Sequence, residues 1–124
     1  MLNAVVLIFI GGGVGSILRY FLHTWTHSTD TVFPVATFLA NVIASFLIGL
    51  LVVKIDDQIL PTQYRYLLIT GFCGGLSTFS TFSYENIQMF HQRQFFLSLV
   101  YTVISILVCF ASTILGIWAA KKIS

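Results

Sequence analysis

The chain has 124 residues, of which 57% are hydrophobic and 8% are charged, with a net charge of +2 and a mean hydropathy of +0.95. Soluble domains carry about a quarter charged residues, so this composition excludes an ordinary soluble domain. The few basic residues are scattered and no nucleophile stands beside a plausible base, so neither nucleic-acid binding nor an enzyme is predicted. The chain is predicted to be an all-α integral membrane protein.

Four apolar runs are each long enough to cross about 30 Å of hydrocarbon. They predict a single membrane domain over residues 1–124, with spans at about 2–22, 33–53, 64–90 and 95–120. No basic residue precedes the first run and no cleavage site leads to a soluble chain, so a cleaved signal peptide is not expected. Cys73 and Cys109 both fall inside spans, which predicts neither a disulfide nor a metal pair.

The basic residues give a weak indication of orientation. If the spans alternate in direction, one side of the membrane carries four of the six basic residues and the other side carries two, Arg19 and Arg93. Such a weak bias permits either orientation. A chain that inserts both ways could pair antiparallel with itself, whereas the lysine pair at the C-terminus could impose a single orientation. Charge alone leaves both possibilities open.

The first span carries a glycine-rich face and ends near an arginine. Gly11 and Gly15 have the G-x-x-x-G spacing that lets two membrane helices approach closely, so this face predicts helix packing. Arg19 could reach the headgroups or make a vestibule electropositive. In the predicted loop that follows, His23 and His27 are four residues apart. Two histidines make an incomplete metal site, and we expect both to be solvated.

The second span opens at a proline, which suits a first helical turn, and then carries a polar row. Thr37, Asn41, Ser45 and Gly49 follow one another at intervals of four residues. Small and polar residues on one stripe indicate an interior face. Asn41 is the most informative of them, because an amide in hydrocarbon needs a partner, a helix interface or a wet cavity.

The third span, about 64–90, is longer than one straight crossing needs and is interrupted. Gly74 and Gly75 precede Ser77 and Thr78, a pattern typical of one helix ending and another beginning. Glycine tolerates a left-handed turn, and either hydroxyl could cap the new helix. We therefore predict a break within residues 73–78. A broken helix in lipid requires protein or water around its free backbone groups, and ion-transport proteins use such groups to hold ions.

After the predicted break, the triplet Thr-Phe-Ser occurs twice. On a helix this repeat places Phe79 beside Phe82 on one stripe, with hydroxyl side chains flanking them. Ring edges offer an anion a weak attraction without a trapping charge. The pattern favours an anion path, although two phenylalanines alone could be core filler.

The fourth span adds a hydroxyl face. Tyr101, Ser105, Ser112 and Thr113 lie on or near one side of the predicted helix. Serine and threonine can bond to their own helix, so this stripe is weak evidence alone.

Three strings, in this order on a four-span chain, resemble the Fluc (CrcB) fluoride channels: GGGVGSILRY, FPVATFLANVIASFLIG and GFCGGLSTFSTFS. The resemblance covers essentially the whole length. It implies a fluoride-selective channel in a bacterial-type inner membrane. It also implies an antiparallel dual-topology homodimer with two pores between the subunits, so that the partners are fluoride, sodium, a second copy of the chain and the lipid bilayer.

The resemblance also implies roles for individual residues, which would line the pore, admit the anion or bind a structural Na⁺. The pore would be lined by the ring pair Phe79 and Phe82, by the amide donor Asn41 and by the nearby hydroxyls of Ser80 and Thr81. Tyr101, Ser105 and Thr113 would form its hydroxyl side, and Arg19 would lie at the vestibule. The carbonyls of Gly74 and Ser77 would bind the Na⁺. The family motif typically has threonine where this chain has Ser77, a change that a carbonyl ligand would not detect.

Two other functions stay open from the residues alone. A small multidrug-type antiporter also has four spans, but its chemistry needs a membrane-embedded carboxylate, and residues 2–22 contain none. Glu85 is the only acid within a predicted span. Alternatively, the glycine and polar faces could be packing surfaces of a membrane anchor or assembly protein that transports nothing.

Overall fold

The computed structural model describes residues 2–26 and 32–123, and every regular element in them is helical. The helices are α1 (Leu2–Thr26), α2 (Val35–Asp56), α3 (65–76), α4 (Phe79–His91) and α5 (Phe95–Ile123). Within α3, Arg65–Cys73 is π-helical and Gly74–Leu76 adds one α-helical turn. The predicted all-α class is confirmed for these residues. His27, which the sequence placed in a loop, lies outside them.

Three of the described helices are long and apolar enough to cross a membrane, judged by length and composition. They are Asn3–Thr26, Val35–Asp56 and Phe95–Ile123. Each continues a few residues beyond its predicted end, because hydropathy marks the hydrocarbon while a helix extends into the headgroup region. His23 is therefore helical, contrary to the loop expected for it. The predicted third span is divided between α3 and α4, and neither half alone has the roughly 20 residues that a crossing needs.

Close backbone contact joins the helices in two pairs, α1 with α3 and α2 with α5. A Cβ atom at Gly15 of α1 would collide with the Phe72 carbonyl of α3, and a Cβ atom at Gly49 of α2 would collide with the Thr113 carbonyl of α5. The packing role predicted for the glycine face of the first span is therefore confirmed. Both contacts follow the rule that membrane helices associate through small residues.

The helix break lies at Ser77 and Thr78, inside the predicted window of 73–78. Both residues are extended, with ψ angles of 153° and 118°. The Thr78 hydroxyl oxygen accepts a hydrogen bond from the Thr81 N–H at 3.2 Å and caps α4, as the sequence suggested for one of the two hydroxyl residues.

The predicted glycine mechanism is wrong. Gly74 and Gly75 are helical, and no glycine among the described residues has a positive φ. Gly75 instead serves packing, because a Cβ atom there would collide with the Gly12 carbonyl of α1. The chain leaves the helix after these glycines, at two residues that adopt ordinary extended backbone.

Candidate functional site

The break is completed by a side chain from another helix. Asn41 of α2 accepts a hydrogen bond from the Thr78 N–H at 2.8 Å and donates one to the Thr78 carbonyl at 3.3 Å. In an uninterrupted helix the Thr78 N–H would donate to the Gly74 carbonyl. The Asn41 amide oxygen therefore replaces the acceptor that the Thr78 N–H loses at the break, and the Gly74 carbonyl loses its helical donor.

Below this contact lies an open groove of about 270 Å³, which we call the central groove. It is lined by Asn41, Ser45, Ser77, Thr78, Phe79, Phe82, Ser105, Ile106, Cys109 and Phe110. None of these described residues is charged. The structure thus brings together the amide, the ring pair, the Ser105 hydroxyl and Ser45 of the polar row, all of which the sequence singled out, and it adds Cys109 to them.

The two phenylalanines of the repeat contact each other, as the three-residue spacing predicted. Their ring centroids are 5.7 Å apart with an interplanar angle of 35°. Phe82 also contacts Tyr101 of α5, with centroids 5.0 Å apart. Phe79 is 79% exposed on the single chain. An aromatic track therefore runs from the exposed side of α4 to the buried face of α5.

Two hydroxyls of α5 differ in their partners. Tyr101 is fully buried, and its hydroxyl donates to Glu85 Oε2 at 2.8 Å. The Ser105 hydroxyl is also buried and lines the central groove, yet no protein group within hydrogen-bond distance pairs with it. A buried hydroxyl without a partner is costly, so this group is available to a ligand in the groove.

Glu85 joins three helices, an arrangement that sequence reasoning missed. Its Oε1 accepts a hydrogen bond from the Thr37 hydroxyl of α2 at 2.6 Å, and its Oε2 accepts the one from Tyr101 of α5. Two signals were available, since Thr37 and Tyr101 each stood on a polar face and Glu85 was the only acid in a span. What the sequence could not give was their distance.

A second cavity of about 270 Å³, the entrance cavity, lies at the C-terminal end of α1. It is lined by Ser16, Arg19, Tyr20, His23, Ala36, Thr37 and Thr81. Arg19 is half-buried in it. Because Thr37 lines the entrance cavity and Asn41, one turn further along α2, lines the central groove, the polar row of α2 leads from one to the other.

Of the remaining predicted site residues, Ser77 lines the central groove, whereas Ser80, Gly74 and Thr113 line neither cavity. Ser80 is exposed, with its hydroxyl 3.2 Å from that of Thr78. Gly74 is exposed, while Ser77 is half-buried and lines the central groove. Thr113 is not among the described residues that line either cavity, and its hydroxyl donates to the Cys109 carbonyl of its own helix at 3.1 Å.

A further polar cluster, also missed from the sequence, fixes α4 against α5. Asn86 Oδ1 accepts hydrogen bonds from the hydroxyls of Ser98 at 2.7 Å and Thr102 at 3.0 Å. Its amide nitrogen donates to the Phe82 carbonyl at 3.0 Å. Asn86 therefore holds the turn of α4 that carries the inner ring of the aromatic track.

Comparison with known proteins gives a consistent result. Residues 6–117 match the family described as CrcB-like protein, Camphor Resistance (CrcB). A protein of Gloeothece citriformis named fluoride-specific ion channel FluC is 42% identical over 119 residues, covering 95% of this chain and 97% of its own. Proteins of the same name from Ignicoccus hospitalis and Geotalea daltonii are 37% and 39% identical. They cover 98% of this chain each, and 98% and 100% of their own lengths.

Proposed function

The chain belongs to the CrcB-like family of integral membrane proteins, whose relatives quoted above are named as channels and not as enzymes, and from that premise we propose that it is a fluoride channel. Fluoride would leave the cell passively, down its own gradient, across a bacterial-type inner membrane. The observation that carries this proposal is the hydroxyl of Ser105, which is buried and has no protein partner. It lines the central groove, whose described lining includes aromatic rings and the Asn41 amide and no charged side chain.

The central groove suits a small, strongly hydrated anion. Such an ion gives up water only where other hydrogen-bond donors replace it, and the groove offers the Ser105 hydroxyl and the second N–H of the Asn41 amide. The rings of Phe79 and Phe82 add electropositive edges. A fixed cation would hold the anion too firmly, and conduction needs binding that is easily reversed.

The proposed path begins at the entrance cavity, where Arg19 attracts anions. It continues past Thr37 and Thr81 and reaches the central groove beside Phe82. Ser80 would provide a further hydroxyl at its exposed edge. In this path Tyr101 contributes its ring and its position, because its hydroxyl is already engaged with Glu85.

We propose a second copy of the chain as partner, in an antiparallel dual-topology dimer in which α3 and α4 together form the fourth crossing. The central groove is open on one side, and Phe79 at its edge is 79% exposed on the single chain. A partner inserted in the opposite direction would cover this side and close two pores, one at each edge of the interface. The weak charge bias of the sequence is compatible with insertion in both directions.

A structural Na⁺ fits the end of α3. Gly74 is exposed and its carbonyl has lost the Thr78 donor to Asn41, while Ser77 is a residue of extended backbone at the break. Carbonyl groups at a helix C-terminus favour cations. Two such ends, one from each chain, would provide the remaining oxygen ligands, and the ion would hold the two breaks together.

Fluoride efflux from proteoliposomes, recorded with an ion-selective electrode beside chloride, tests the function. We expect fluoride efflux far above that of empty liposomes, little chloride efflux, and a strong reduction by Phe79→Ile. Fluoride efflux no faster than from empty liposomes would reject the channel. Unchanged efflux in Phe79→Ile would favour a packing role for the rings.

Two further measurements test the remaining parts of the proposal. Replacing Na⁺ with a large organic cation during purification should inactivate or dissociate the protein, and indifference would reject the structural ion. The competing function is proton-coupled exchange, for which Glu85 would supply the membrane-embedded carboxylate. An imposed proton gradient would drive fluoride uphill in an antiporter and leave the final distribution of a channel unchanged.

A further inference from the structure

We propose that His23 is a second anion-attracting group of the entrance cavity beside Arg19, and that it makes fluoride entry faster as the pH falls. The inference rests on the proposed channel function. It assigns a role in anion entry to a residue that the sequence placed in a solvated loop and that the structure places on α1.

The position of His23 supports this role. It stands four residues after Arg19, so both side chains lie on the same face of α1. Both line the entrance cavity, opposite Thr37 of α2 and Thr81 of α4. His23 is exposed while Arg19 is half-buried, so the imidazole is the more accessible of the two side chains.

The charged groups around His23 explain why a second cation is useful. Among the described residues, α1 contributes Arg19 and the phenol of Tyr20, and α2 contributes no titratable group to this cavity. From α4, Glu85 is close enough for its charge and that of His23 to act on each other. The hydroxyl of Tyr101 of α5 donates to this carboxyl group. An anion moving inward from Arg19 therefore approaches a carboxylate, whose repulsion a charged His23 would offset.

The chemistry of imidazole makes this assistance conditional. Histidine is the side chain whose charge ordinarily changes between about pH 5 and 8, and its protonated form presents two N–H donors. A charge added at the mouth of a cleft raises the local concentration of the opposite ion. Protonated His23 would thus raise the rate of entry without adding a fixed charge inside the central groove.

The test compares wild type with His23→Gln, which keeps a polar side chain and removes the titration. Fluoride efflux is measured from about pH 8 to about pH 5.5, the interval in which imidazole groups change charge, with the same pH on both sides of the liposome. His91→Gln is the matched control, because His91 is exposed in the last turn of α4 and is not among the residues lining the entrance cavity. Empty liposomes at each pH correct for leakage of uncharged hydrogen fluoride through the bilayer.

We expect the ratio of wild-type to His23→Gln efflux to rise from about 1 at the upper pH to about 3 at the lower, as electrostatic focusing of a single charge predicts. The His91→Gln ratio should stay flat. His23→Arg should hold the fast rate at every pH.

A wild-type to His23→Gln ratio that does not change with pH would overturn the inference while leaving the channel intact. Equal pH dependence in His23→Arg and wild type would overturn it as well. If wild type released no fluoride at any pH, the channel function itself would be rejected, and this inference with it.

Discussion

The two halves of the broken helix are held in different ways. α3 lies against α1 through direct backbone contact, with Gly15 beneath the Phe72 carbonyl. α4 instead is held by side-chain hydrogen bonds, with Glu85 bonded to α2 and α5 and Asn86 bonded to α5. Direct backbone contact leaves no space for a larger side chain between α1 and α3, whereas the polar network holds the side chains of α4 around the central groove. The comparison assigns α3 to structure and α4 to the candidate path.

The sharpest way to break this comparison is to add one methyl group to the α1–α3 contact. In Gly15→Ala the new Cβ atom would collide with the Phe72 carbonyl, so the two helices must separate. We expect the free energy of unfolding to fall by about 3 kcal/mol, at the upper end for overpacking. Thermal unfolding in detergent, followed by size-exclusion chromatography, measures it.

Gly13→Ala is the matched control for this substitution, since a Cβ atom at Gly13 would meet nothing within 4 Å. It should be neutral or stabilising by up to about 1 kcal/mol, because alanine favours a helix over glycine. Equal stability of the two variants would show that the close contact with α3 does not hold the fold.

At the junction of the two halves, Asn41→Ala should affect both stability and flux. It leaves the N–H of the buried Thr78 without an acceptor, which we expect to cost about 2 kcal/mol, and it removes an amide donor from the central groove. Ser45→Ala, one turn along the same face and lining the same groove, should cost about 0.5 kcal/mol or less. If Asn41→Ala were as stable as Ser45→Ala, the amide would not be completing the break.

On the side of the path, Ser105→Ala should separate flux from stability. Its hydroxyl has no protein partner, so removing it should leave thermal stability unchanged or slightly raised. Fluoride efflux should fall about tenfold, the value of one hydrogen bond to a charged group. Ser112→Ala removes another buried hydroxyl of α5 that is not among the residues lining the groove, and it should conduct normally. Lost stability with unchanged efflux in Ser105→Ala would assign this serine to packing.

The smallest effect is expected for Thr113→Val, which tests how far the path extends along α5. The Thr113 hydroxyl already donates to the Cys109 carbonyl, so we expect a decrease in efflux of less than about twofold, as for a surface change within 0.5 kcal/mol. A larger loss, measured in the same liposome assay, would extend the path beyond Cys109 and restore the role that the resemblance implied for Thr113.

Features encoded by local pattern were predictable from the sequence. Hydropathy predicts the all-α class. Hydroxyl residues able to cap a helix predict the window of the break. The three-residue spacing predicts the contact between Phe79 and Phe82. The row from Thr37 to Asn41 was correctly identified as an interior face, because only a partner or a cavity makes such groups tolerable in hydrocarbon.

Features that depend on a neighbouring helix could not be predicted in this way. The π-helical turns of Arg65–Cys73 have no local marker in the sequence. The glycines at 74 and 75 suggested a left-handed turn, but α1 determines their role by lying directly against Gly75. Asn41 was predicted as an amide donor to an anion, and its bonds to Thr78 required knowing where the break would lie.

Because the bonds between Asn41 and Thr78 lie within one chain, the interruption needs neither ion nor companion to exist. A newly inserted polypeptide could bend at Ser77 while it is still alone in the bilayer, with the buried Thr78 N–H already paired. The surfaces that associate would then already have their final shape. The conformational entropy of the break is lost during membrane insertion and not when the two subunits associate. The second subunit and the cation proposed above would then bind a break that is already formed.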